Sequence, residues 1–217
     1  MSLANNIQNL RNVISSLEGK AGGGNDRYDE GVEAGKQAEY DLFWDAYQQN
    51  GTRRNYYQLF VQSGWTDTTF KPKYPINCYA VQSYESTNAT EIFNNCYMTR
   101  IPVPITVTGL AIDRMFQSCR NLETIDLLVL NGVTSFTHTF LSSPKIKNIT
   151  IGGSIDVNFN IAATAVLTNE SVQSIIDHLK DLTGATAQTL TLHADVGAKL
   201  TQTQKDTISA KNWNVTY

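Results

Sequence analysis

Charged residues are scarce in this chain of 217 residues. They make up 17% of the sequence, well below the usual quarter, so much of the surface must be neutral and polar. The formal net charge is −3, and the densest basic stretches, Arg53-Arg54 and the two lysines in 71–73, are short. Nucleic-acid binding draws on clustered Lys and Arg. The composition therefore argues against a nucleic-acid partner.

Cysteines and long apolar runs are also rare. Cys78, Cys96 and Cys119 are the three cysteines, and they lack CxxC spacing, which predicts neither a disulfide framework nor a zinc knuckle. Folding in a reducing cytoplasm is the simpler interpretation. No apolar run reaches the roughly 18 residues that a membrane span needs, and no basic stretch followed by an apolar block opens the chain. We therefore predict no membrane insertion and no secretory signal.

Signatures of catalysis and metal binding are missing as well. His138, His178 and His193 fall on three different predicted elements, without HxxxH or HExxH spacing. His138 lies near Ser142 and Asp126 in the sequence, but no G-x-S-x-G motif surrounds a serine. We therefore predict no catalytic, cofactor-binding or metal-binding residues, and no enzyme activity.

The N-terminal segment, residues 1–21, has the apolar spacing of a coiled coil. Steps of 4, 3, 4 and 3 residues separate its aliphatic side chains, as an a/d seam requires. The residues of this predicted oligomer interface are Leu3, Ile7, Leu10, Ile14 and Leu17. Three glycines in the joint at 22–27 make docking on the same chain less favourable. We expect a dimer or a trimer, while packing on its own domain or on another protein is the alternative.

The segment 28–91 is predicted to contain a helix followed by an N-terminal cap. The helical spacing begins at residue 26 and ends at residue 49. The cap is rich in aromatic residues, which more often close the end of a core than bind a ligand. They are Tyr56, Tyr57, Phe60, Trp65, Phe70 and Tyr74.

A repeat occupies residues 92–165. Phe93, Phe116 and Phe140 are 23 and 24 residues apart, and each is followed three residues later by a small residue. Aliphatic residues then recur six, nine and eleven positions after the second and third Phe. The first repeat is one residue shorter between Phe93 and Ile101. The predicted repeat core is Phe93, Cys96, Ile101, Phe116, Cys119, Leu122, Ile125, Leu127, Phe140, Ile146, Ile149 and Ile151.

This period predicts an α/β fold in which a helical arc with Phe and a small buried residue is followed by a strand with alternate aliphatics inward. Each unit has an apolar edge that only its neighbours can cover. Cys96 and Cys119 are then core residues, since a metal or redox pair would need further ligands.

The last segment, residues 166–217, predicts a capping module of helix, strand, helix and strand. Thr168 is a good N-cap for the first helix, with Gly184 past its end, and Thr201 begins the second helix. Strands are expected at 189–193 and 213–217. The second helix is polar on one face, as the terminal element of a repeat array should be.

The spacing F-x-x-C-x-x-L-x-x-I-x-L, recurring every 23 to 24 residues, resembles the BspA-type leucine-rich repeats of bacterial surface proteins and tailed phages. The N-terminal stretch at 28–74 and the C-terminal stretch at 167–216 look like segments that such phage-encoded proteins carry. The chain departs from the family in having few repeats and Ser143-Pro144 in place of Cys-x.

The repeat period and this resemblance together predict a short leucine-rich-repeat solenoid, and the a/d spacing of residues 1–21 predicts an N-terminal helical, coiled-coil-like oligomerisation segment. The resemblance implies a non-enzymatic virion component on a tail, baseplate or head appendage, without a cofactor. Expected partners are further copies of the chain, other virion proteins, and a host surface glycan or protein. The alternative is an adhesin-like bacterial surface module that binds a host protein or glycan.

Overall fold

The computed structural model describes residues 76–79 and 89–217, all within one compact unit. The predicted N-terminal helix, the glycine joint and most of the aromatic-rich cap lie outside the described residues. The same holds for the predicted oligomer interface, Leu3, Ile7, Leu10, Ile14 and Leu17.

The first sheet is parallel throughout. Its strands are β1 (Ile76–Tyr79), β2 (Arg100–Ile101), β3 (Ile105–Thr108), β4 (Thr124–Asn131) and β5 (Asn148–Gly153). β1 pairs with β3, β4 pairs with both β2 and β3, and β5 pairs with β4. β2 and β3 are separated by Pro102 and Pro104, which have no N–H to donate to a ladder. Each repeat thus contributes one pass of the chain, and successive passes lie side by side.

The inward face of this sheet contains aliphatic side chains in register. Ile101 lies opposite Ile125, and Ile125 lies opposite Ile149. The register then shifts between Ile125 and Leu128, because β4 has one residue more than β5 before the next matched pair.

This irregularity corrects one predicted core residue. Uninterrupted alternation from Ile125 places Leu127 inward, but Leu127 is only half-buried and Leu128 is fully buried. An extra residue in one strand moves every later side chain to the opposite face. Eleven of the twelve predicted repeat-core residues are buried, and Leu127 is the exception.

Tight turns, and not a helical arc as predicted, form the side opposite these strands. Each Phe of the repeat lies between two residues with left-handed backbone, for example Arg114 (φ 56°) and Ser118 (φ 59°) around Phe116. Such residues interrupt α-helical hydrogen bonding. Backbone hydrogen bonds also join each turn to the next. The Phe93 N–H donates to the Met115 carbonyl at 2.9 Å, and the Phe116 N–H donates to the Thr139 carbonyl at 2.9 Å.

Helices enter the structure in its C-terminal part. The elements there are β6 (Phe159–Asn160), α1 (Asn169–Asp177), β7 (Gln188–Thr191), α2 (Ala194–Gly197), α3 (Gln202–Ala210) and β8 (Trp213–Thr216). β6, β7 and β8 form a second parallel sheet in that order. No helix in the described part of the chain is long and apolar enough to cross a membrane.

The predicted helix caps are confirmed at two positions. The Thr168 hydroxyl accepts the Ser171 N–H at the start of α1, and Thr201 forms a capping box with Gln204 at the start of α3. The predicted end of the first helix near Gly184 is wrong. α1 ends at Asp177, because Leu179 forms a parallel bridge with Ile155 and the chain must be extended there.

A row of phenylalanine rings joins the repeats to the C-terminal part. Ring centroids of Phe93 and Phe116 are 5.6 Å apart, and so are those of Phe116 and Phe140, with planes within 14° of parallel. Phe159 of β6 continues the row, 5.7 Å from Phe140 and 5.0 Å from Phe136. β6 therefore lies on the turn side of the repeats.

Candidate interaction surface

The predicted core residues form the scaffold that positions the surface. In the second and third repeats the small residue also bonds to the preceding turn: Cys119 Sγ donates to the Phe93 carbonyl at 2.9 Å, and Ser143 Oγ donates to the Phe116 carbonyl at 2.5 Å. Burial raises the pKa of the Cys119 thiol, so it stays protonated and remains a donor. The sequence indicates a small side chain here but not this bond.

The structure does not bring the three histidines together. His138 is exposed in a turn with φ 57°. The carboxylate of Asp126, which lies twelve residues before His138, is instead bound by Arg100 at 2.7 and 2.8 Å. His178 Nδ1 lies 2.8 Å from the Ser174 carbonyl, and His193 caps α2. Within residues 76–79 and 89–217, no cluster of three His, Cys, Asp or Glu side chains could hold a metal ion.

Ion pairs link neighbouring repeats at the surface, both along the first sheet and on the turn side. Arg100 and Asp126 form a bidentate pair, and Lys147 Nζ lies 2.6 Å from Glu123 Oε2. On the turn side Arg114 lies 3.3 Å from Glu91. Each pair joins residues 23 to 26 positions apart, which is one repeat. Opposite charges on adjacent passes neutralise one another and favour this register.

The outer face of the second sheet is different, because it has no charged side chain. Asn160, Thr191 and Thr216 lie side by side across β6, β7 and β8, and Thr189 lies opposite Asn214. Asn158, which precedes β6, lies beside Thr189. We call these six residues the Asn–Thr face: Asn158, Asn160, Thr189, Thr191, Asn214 and Thr216. They alternate with Phe159 and Leu190, which are buried, and with Val215.

Hydrogen bonds fix four of the six side chains of the Asn–Thr face: Asn158, Asn160, Thr191 and Thr216. Asn158 Oδ1 accepts the Thr189 N–H at 2.7 Å, and Asn160 Oδ1 accepts the Ala162 N–H at 3.0 Å. Thr216 Oγ1 donates to Thr191 Oγ1 at 3.1 Å. Since both amide oxygens are held by backbone, the orientation of each amide NH2 group is set. Across the described residues, neither NH2 group has an acceptor.

Sequence reasoning did not single out this face. The signal is an uncharged polar residue at every second position: N-x-N in β6, T-x-T in β7 and N-x-T in β8. Alternation of this kind predicts a half-buried strand. It does not say which strands pair, and so it cannot bring the six residues together.

A small cavity lies between the helices of the C-terminal part. It has a volume of about 50 Å³, which is room for a few water molecules only. Its walls are Leu167, Asn169, Val172, Val196, Lys199, Leu200 and Gln204. The Gln204 amide is already bonded to Thr201, Asn169 and Gln173. The cavity therefore offers no converging set of polar groups of the kind that binds a substrate.

Comparison with known proteins assigns no family. No protein-family model matches this sequence, and no curated protein or solved structure matches it either.

Proposed function

We propose that this chain is a non-enzymatic structural and binding component of a bacteriophage virion, built on a short leucine-rich-repeat solenoid. The observation that carries the proposal is the recurring contact between repeats. In each, a buried Phe stacks on the next Phe, and a small residue bonds to the carbonyl of the preceding one. Residues at these positions also carry the resemblance to BspA-type repeats.

The backbone bonding between neighbouring repeats supports a binding role. Neighbouring repeats are tied by backbone bonds on both the strand side and the turn side, which makes a rigid platform. Rigid platforms suit recognition because few side chains lose freedom when a partner binds. Other virion proteins and a host surface glycan or protein are the partners we propose.

The N-terminal helix is the proposed oligomerisation segment, with Leu3, Ile7, Leu10, Ile14 and Leu17 at the interface. Light scattering should return a dimer or a trimer for the full chain, and a monomer for a version that begins at Gly22. A full chain that is monomeric would overturn this part of the proposal.

Location in a particle is the decisive test of the function. Particles of the encoding virus are purified on a density gradient and digested for mass spectrometry, with a deletion of this gene as the matched control. We expect peptides of this chain in the particle band and none in the deletion. If the chain fractionates with host envelopes and never with particles, the adhesin-like alternative is favoured.

A further inference from the structure

We infer that the Asn–Thr face binds a neutral polysaccharide. This inference rests on the proposed function, since it names the partner class of a binding component. The face contains six amide and hydroxyl side chains and no ionisable group. Sheet geometry spaces them by about 4.8 Å across the strands and about 7 Å along them. The resulting area suits a short stretch of a polyhydroxylated polymer.

The chemistry of the face matches hydroxyl groups in both hydrogen-bonding directions. An amide NH2 donates, a threonine hydroxyl both donates and accepts, and a sugar hydroxyl does the same. None of the six residues is charged, and Asp156, two residues before Asn158, is already paired with Lys180, so a charged ligand would gain no ion pair from the face. Neutral polymers are therefore favoured over anionic or cationic ones.

Preorganisation distinguishes this face from an ordinary polar surface. Asn158 and Asn160 are fixed through their oxygens by backbone N–H groups, and the Thr191 and Thr216 hydroxyls are bonded to each other. Groups that are already oriented lose little entropy on binding. On the first sheet, by contrast, side chains of adjacent repeats are occupied with one another in ion pairs such as Arg100–Asp126.

The two sheets supply a matched pair of variants for the test. Thr191→Val with Thr216→Val removes two hydroxyls from the Asn–Thr face and keeps the branched shape that strands favour. Thr108→Val with Thr150→Val removes two hydroxyls from exposed positions of β3 and β5. Thermal unfolding followed by circular dichroism establishes that both variants fold.

Native electrophoresis in gels containing dextran, mannan or a soluble β-glucan measures binding as retardation of the full chain. Gels containing alginate, an anionic polymer, test charge selectivity. We expect retardation by at least one neutral polymer, weakened about tenfold by the first pair of substitutions and unchanged by the second. Asn214→Lys, which adds a charge to the face, should have the same effect as the first pair.

Three results would overturn the inference: no retardation in any neutral gel, equal loss with both variant pairs, or retardation by alginate as strong as by the neutral polymers. The virion proposal is tested separately by particle composition. A chain absent from particles would leave a positive gel result standing, and a negative gel result would leave a virion location standing.

Discussion

Two regions of the described structure stack their repeats by different means. We call residues 89–157 the strand-and-turn region and residues 158–217 the helical region. In the first, a strand lies on one side of each repeat and tight turns lie on the other. In the second, strands β6, β7 and β8 lie on the turn side, and α1 meets the edge of the first sheet. The strands of the second region thus lie on the side that the turns occupy in the first region.

The contact between α1 and β5 shows how the edge of a parallel sheet can be closed by a helix. A helix uses its own N–H groups internally and cannot continue a β-ladder, so the open edge of β5 needs side-chain partners. Ser171 Oγ accepts the Ile149 N–H and Ser174 Oγ accepts the Ile151 N–H, both at 2.9 Å. These two serines of α1 take the place of the next strand.

The largest effect is expected from breaking the phenylalanine row that joins the regions. Phe116→Ala removes a fully buried ring from between two others and should lower the free energy of unfolding by about 3–5 kcal/mol. Leu190→Ala, in the buried face of β7, is the matched substitution and should cost about 2–5 kcal/mol. Urea unfolding measures both.

Hydrogen exchange then asks whether the two regions unfold together. Because Phe159 contacts Phe136 and Phe140, each substitution should speed exchange in both regions. If Phe116→Ala loosens residues 93–151 and leaves 159–217 protected, the two regions are independent folding units.

A smaller effect is expected from the serine that ends the first sheet. Ser171→Ala leaves the Ile149 N–H without its acceptor in a buried place and also removes a donor to the Lys147 carbonyl. We expect a loss of about 1–3 kcal/mol and faster exchange of the Ile149 amide. Ser209→Ala, at an exposed position on α3, is the control and should change stability by less than about 0.5 kcal/mol. Equal losses would contradict the edge-closing role.

The small residue of the repeat offers a finer test within the strand-and-turn region. Cys119→Ser keeps a donor for the Phe93 carbonyl, as Ser143 does for Phe116, and should stay within about 1 kcal/mol of the parent chain. Cys119→Ala removes the donor and should be about 1–2 kcal/mol less stable. An alanine variant more stable than the serine variant would show that packing alone selects this residue.

Sequence reasoning reached further in one region than in the other. The contacts between Phe93, Phe116 and Phe140 follow directly from the repeat, because residues at the same position of successive stacked units become neighbours. Leu127 was misplaced because a single extra residue in β4 reverses alternation, and composition does not mark such an irregularity. Helix starts at Thr168 and Thr201 were accessible because capping is local chemistry.

What the sequence did not reveal depends on contacts between distant segments. Ser171 and Ser174 act as edge partners only because α1 lies against β5, and nothing near them in the chain indicates this. The Asn–Thr face likewise needs β6, β7 and β8, which are drawn from residues 159–216, to be paired in register. Each strand alone is an ordinary polar alternation.

The smallest expected effect lies at the junction of the two regions. Asp156 precedes β6, and Lys180 follows α1; Lys180 Nζ lies 2.9 Å from Asp156 Oδ2. Burial raises the pKa of Asp156, but hydrogen bonds from Lys180 and Ser154 outweigh it and hold the pKa below its usual value. The pair lies near the surface, so we expect Asp156→Asn to cost less than about 1 kcal/mol at neutral pH.

The pH dependence of that cost identifies its source. Since the folded-state pKa of Asp156 is lower than the unfolded value of about 3.9, its stabilisation is present above that value and is lost as pH falls through the folded pKa. The difference in unfolding free energy between the parent chain and Asp156→Asn should therefore shrink as the pH falls below about 3.9, and vanish once the pH lies below the folded-state pKa. Asp206→Asn, on the exposed side of α3, makes the same change in charge away from the junction. A difference that persists undiminished in acid would mean that Asp156 joins the regions through packing and not through its charge.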